Sequence, residues 1–102
     1  MSFASDIQTK TLTATGTAVN GRSRIAGIYY IQATTTPATL TFRDGGASGT
    51  VVLTLPTPGV VGANDLMIPD NGVLCSTDIH VTISSNTDVT SCMVMFVGGK
   101  AA

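Results

Sequence analysis

Residues Arg24–Pro56 read RIAGIYYIQATTTPATLTFRDGGASGTVVLTLP, and they decide the fold. The apolar runs Ile25–Ile31, Leu40–Phe42 and Val51–Leu55 are separated only by turn formers, Thr34-Thr35-Thr36-Pro37 and then Arg43-Asp44-Gly45-Gly46-Ala47-Ser48-Gly49. β-Branched and aromatic residues at period two, punctuated by Gly, Pro, Asp and Ser, are the pattern of antiparallel strands joined by tight turns. The glycine-rich segment Asp44–Gly49 is no phosphate loop. Such a loop needs a helix start behind it and a Lys at its end, whereas Thr50–Leu55 (TVVLTL) is a strand.

Upstream, Thr9–Val19 alternates loosely and is rich in threonine, as expected of an edge strand, with Gly16 as a bulge or bend. Asn20-Gly21 is a type I′ turn signal, so Arg22–Ala33 is expected to return antiparallel. In that strand Ile25, Gly27, Tyr29 and Ile31 share one face, and Tyr30 points to the other. Both faces carry apolar groups, which predicts a central strand. Met1–Asp6 and the following two residues form an N-terminal arm (1–8) with Phe3 and Ile7 as anchors.

Downstream, Val60–Asn64 reads as an irregular connection and Asp65–Pro69 as a short strand. Asn71-Gly72 gives a further hairpin signal leading into Val73–Ser76. Asp78–Ser84 (DIHVTIS) alternates cleanly, which places Ile79, Val81 and Ile83 inward and His80 on the polar face. Asn86-Thr87-Asp88 turns the chain into Val89–Val97, a strand apolar on both faces: Cys92, Val94 and Phe96 on one, Met93, Met95 and Val97 on the other. Residues 99–102 read as a tail, so the folded domain is residues 9–98.

No window shows a helical period. About eight short strands with turns every 6–12 residues predict an all-β antiparallel β-sandwich or jelly-roll-like barrel. Its expected core is Ile25, Tyr29, Ile31, Leu40, Phe42, Val52, Leu55, Ile79, Val81, Ile83, Val94 and Phe96.

Composition narrows function. Of the 102 residues 43% are hydrophobic, enough for one core, but only 11% are charged, against roughly 25% in an ordinary soluble domain. Serine and threonine take the surface positions, and all six acids are Asp. The five cations are scattered along the chain and the formal net charge is −1, which argues against binding nucleic acid through phosphate neutralisation. So little charge gives weak protection against association, as in a subunit that works inside an assembly. The segment Met1–Lys10 lacks both the basic and the apolar region of a secretory signal, so synthesis in the cytoplasm is expected.

Cys75 and Cys92 fall in strands. They read as reduced, buried small hydrophobes, with a disulfide between strands as the alternative. One His and two distant Cys are too few for a metal site, and no nucleophile–base–orienter set can be assembled. The chain is therefore expected to be no enzyme and to hold no cofactor. A structural subunit and a binding module are the classes that remain, the latter contacting a glycan through a loop such as Arg43–Gly49.

Three motifs carry a resemblance. Gly21–Ile25 fits Gly-Arg-x-Arg-Ile/Val, and Arg43–Thr50 fits Arg/Lys-Asp-Gly-Gly-x-x-Gly-Thr. Pro69–Ile79 fits Pro-x-x-Gly-Val/Ile-Leu-x-x-Thr-Asp-Ile/Leu. With these, most of the chain after the arm resembles small β-rich virion structural proteins of tailed phages, especially marine ones. It departs from them at Cys75 and Cys92, where ordinary apolar residues are expected. The resemblance implies a capsid decoration or cement subunit in the virion, with a tail or fibre component as the alternative. The implied partners are the major capsid protein or other virion proteins. It further implies a homo-oligomer, with a trimer favoured, docked through the arm or an exposed strand edge.

Overall fold

A computed structural model of the protein describes residues 7–69 and 72–102. They form eight antiparallel strands: β1 (Gln8–Leu12), β2 (Gly16–Gln32), β3 (Thr39–Asp44), β4 (Thr50–Pro56), β5 (Gly62–Met67), β6 (Val73–Cys75), β7 (Asp78–Ile83) and β8 (Val89–Ala101). No described residue is helical.

The spine is β2. One of its edges pairs with β8 from Val19↔Ala101 to Gln32↔Val89. Its other edge is taken in turn by β7, β6 and β5. Outside these lie β1 on β8 and, beyond β7, β3 and then β4. β2 and β8 are long, at 17 and 13 residues, and bend so that both layers of the sandwich share them, as strands do at sandwich corners. The bend is built from register slips in β2 between Asn20 and Ser23 and between Ile25 and Gly27. It is matched by left-handed glycines, Gly21 at φ 91° and Gly99 at φ 66°. At Gly99 a Cβ would come within 2.8 Å of the Asn20 carbonyl oxygen, so the two bent strands approach there as only glycine allows.

Leu40, Phe42, Ile79, Val81 and Ile83 from one wing meet Ile25, Val94 and Phe96 from the other in a single buried cluster, as the alternation predicts. Val52 and Leu55 are only half-buried, because β4 is a sheet edge with no strand beyond it.

Several sequence expectations are corrected. Asn20-Gly21 does not close a hairpin. The Gly21 N–H donates to the Thr77 carbonyl at 2.9 Å, and the positive φ serves a bulge inside one continuous strand. The second bulge inserts Ala26 and inverts the alternation after Ile25. Ile28, Tyr30 and Gln32 therefore face the core, while Tyr29 is 39% exposed and Ile31 half-buried. The hairpin expected at Asn71-Gly72 is also absent, for β5 and β6 follow each other along the same edge of β2 in one direction. Asn71 itself lies outside the described residues, as does the arm's Met1–Asp6. β5 starts at Gly62, inside the expected irregular connection, and β8 runs on through the expected tail to Ala101. The hairpin at Arg43–Gly49 forms as read, joining β3 to β4 with Gly45 at φ 108° and Gly46 at φ 82°.

Candidate functional site

His80 lies on the face of β7 away from the core residues Ile79 and Val81, as read, yet it is only 7% exposed. The register sets it between Thr17 of β2 and Arg43 of β3, and an interior strand of a sheet shields its outer face with long neighbours. Its Nδ1 and the Arg43 Nε are buried without hydrogen-bond partners. No acid stands beside it in that register row. Among the described residues no group of three or more His, Cys, Asp or Glu side chains is placed to hold a metal ion.

Two carboxylates lace the turns at the same end of the sheet. Asp44 accepts the N–H groups of Ser76 and Thr77 at 2.8 Å each and of Asp78 at 3.4 Å. Asp78 accepts those of Gly45 and Gly46 at 2.9 and 3.0 Å. These backbone donors, led by Ser76 and Thr77, hold the Asp44 carboxyl below its ordinary range. The glycine-rich loop is thereby tied to the β6–β7 connection.

Cys75 and Cys92 are free and buried. Cys75 pairs with Ser23 and Cys92 with Tyr30, on opposite edges of β2. At about 3.3 Å per residue that offset along β2 alone is about 20 Å, far beyond disulfide reach, so the reduced reading holds over the disulfide alternative. Burial pushes the Cys92 thiol up to about 12. Burial, followed by the Asp44 and Asp78 carboxylates, pushes Cys75 up to about 11. Since the thiolate is the reacting form, both are expected to label with a maleimide far more slowly in the native protein than in denaturant. Fast native labelling of either would place it at the surface.

A further candidate surface is the outer face of the sheet β5-β2-β8-β1. Directly opposed residues share a face, so register rows cross it. One row is Met67–Gly27–Met95, the next Asp65–Tyr29–Met93, and beyond the Ala26 bulge lies Leu74–Arg24–Val97. Met67 is 60% exposed. Gly27 leaves room for the methionines to lie across the sheet, since a Cβ there would come within 2.7 Å of Met95 Cε and 3.1 Å of the Met67 sulfur. The outer face of the other wing differs. Its row Thr54–Thr41–Thr82 suits water. At the Arg24 end, an open groove of about 220 Å³ is lined by Arg22, Ser23, Arg24, Leu74, Val97 and Gly98. The sequence showed the Met93–Met95–Val97 stripe but not its neighbours, because the registers that bring Met67, Tyr29 and Asp65 beside it depend on the Ala26 bulge.

No family model matches the chain, and no curated protein matches it. Among solved structures, one from Bacillus endospore appendages, described as forming a novel family of disulfide-linked pili, aligns over 98% of each chain with 14% identity and a TM-score of 0.37. A likeness of that size carries neither family nor function to this chain.

Proposed function

We propose that the protein is a structural subunit of a tailed-phage particle, a decoration or cement subunit that docks on the capsid shell as a symmetric oligomer and stabilises it. The observation that carries the reading is the outer face where exposed Met67 lies beside half-buried Met93 and Met95, in a chain with few charges to keep copies apart. Contiguous apolar faces of this kind mark interaction sites. The open edges support it too: β1 and β4 end the strand order, and β1 carries one charged residue, Lys10, against edge pairing. The role needs no catalytic residue, cofactor or nucleic acid, and its partners are shell proteins and further copies of the chain.

The test is biochemical. Particles assembled in cells expressing this chain are expected to contain it in fixed stoichiometry by quantitative mass spectrometry, with density on the shell by electron microscopy. Particles lacking the protein are expected to release their DNA at lower temperature. Density on the tail would move the assignment to a tail component. Absence from purified particles, with binding on a glycan array instead, would replace the reading with a glycan-binding module.

A further inference from the structure

We propose that the outer face of β5-β2-β8-β1 is a contact between two copies of this chain, packed sheet to sheet about a two-fold axis passing over Gly27. The inference goes beyond the particle reading and does not depend on it, since two copies would pair in this way in free solution.

Three features of the face lead there. Its centre is apolar and adaptable: Met67 and Met95 lie over Gly27, and methionine packs against irregular surfaces. One end is cationic, with Arg22 and Arg24 lining the groove floored by Leu74 and Val97. The other end, beyond Gly27 along β2, carries Asp65 directly beside Tyr29, and both are exposed. The face thus holds a cationic end and an acidic end on either side of an apolar centre, in a chain with only five cations and six acids.

That pattern is self-complementary. A half-turn about an axis in the plane of the face, perpendicular to the strands, lays Arg24 of one copy over Tyr29 and Asp65 of the second. The same rotation lays Arg24 of the second copy over Tyr29 and Asp65 of the first, which is the reciprocity that defines a two-fold contact. Packed sheets stand about 10 Å apart, a gap that an extended arginine and an aspartate bridge between them. The guanidinium also meets the face of Tyr29, a favourable cation–aromatic contact. A ring of three would need the two complementary patches on different sides of the subunit. Here they share one face, so the contact closes at two copies.

Charge reversal tests this with the full chain. Sedimentation velocity and light scattering are expected to give twice the chain mass for the wild type at micromolar concentration. Arg24→Asp and Asp65→Arg each place like charges at both contacts, and each is expected to raise the dimer dissociation constant by about tenfold or more. An equimolar mixture of the two variants restores opposite charges at both contacts, so it is expected to return to twice the chain mass. Circular dichroism and the thermal midpoint, extrapolated to low concentration, should match wild type, since Asp65 is exposed and Arg24 is half-buried on the outer face, away from the core. A wild-type mass of one or three chains would overturn the proposal. So would single variants that associate like wild type, or a mixture that stays monomeric. None of these results bears on whether the protein is found in particles, so the two readings fail separately.

Discussion

Phe42→Ala is expected to lower the folding free energy by about 3–5 kcal/mol, the range for emptying a fully packed aromatic site. Phe42 has 0% exposure and sits on β3 with Leu53 of β4 on one side and Val81 of β7 on the other. Both flanking strands are held by backbone pairing, so the site has little freedom to collapse around the deletion, and the cost stays near the upper part of that range. A domain of this size has a total stability of roughly 5–15 kcal/mol. The variant would therefore keep only a modest margin, and its thermal midpoint would fall by tens of degrees, at about 4–8 °C per kcal/mol. Urea unfolding with an unchanged slope and a lower midpoint is the expected record. A loss below about 1 kcal/mol would mean that β3 is out of phase with the core.

The sequence made the strand count, the all-β class and the phases of β3, β7 and β8 legible, because in those strands alternation runs unbroken into the core. It misled wherever a bulge intervened. Gly21 carries the positive φ that a type I′ hairpin needs, and the same conformation serves equally well to bend a strand that continues. What separates the two outcomes is non-local: the Thr77 carbonyl waiting for the Gly21 N–H, and Gly99 across the ladder on β8. Ala26 is a second case. One inserted residue reversed Tyr29 and Tyr30, and nothing local to RIAGIYYIQ marks which residue is extra. His80 shows a different limit. Its face was read correctly, but the face of an interior strand is not the same as water.

The candidate surface was half legible. Met93, Met95 and Val97 form a period-two stripe that any strand reading finds. Their neighbours Met67, Tyr29 and Asp65 come from β5 and from beyond a bulge in β2, so their proximity is a property of register rather than of spacing. The grouping of Arg22 and Arg24 with Leu74 and Val97 has the same origin. Arg22 and Arg24 are near neighbours in sequence, but the pairing of β2 with β6 and β8 is what sets them beside Leu74 and Val97.

Replacement of Asp44 is expected to have the second largest effect, about 1–2 kcal/mol near pH 7 for Asp44→Asn. Hydrogen bonds to a charged acceptor contribute about 1.5–3 kcal/mol when buried, and Asp44 is half-exposed, so solvent screening brings the figure down. The asparagine amide has one acceptor oxygen and turns its NH2 toward N–H groups that need an acceptor, so it loses much of the contact while keeping the shape. The sign of the pH dependence follows from the depressed carboxyl. The folded state binds this proton less readily than the unfolded chain, so the stabilisation is fully present above the unfolded value near 4. It is lost as pH falls through the lower folded value. Stability measured by urea unfolding is therefore expected to fall faster with acid in wild type than in Asp44→Asn, and the gap between them should close as the pH falls below the unfolded carboxyl value and through the lower folded one. A gap that stays constant from neutral pH into acid would show that shape, not the negative charge, holds the Arg43–Gly49 loop to the Ser76–Asp78 backbone.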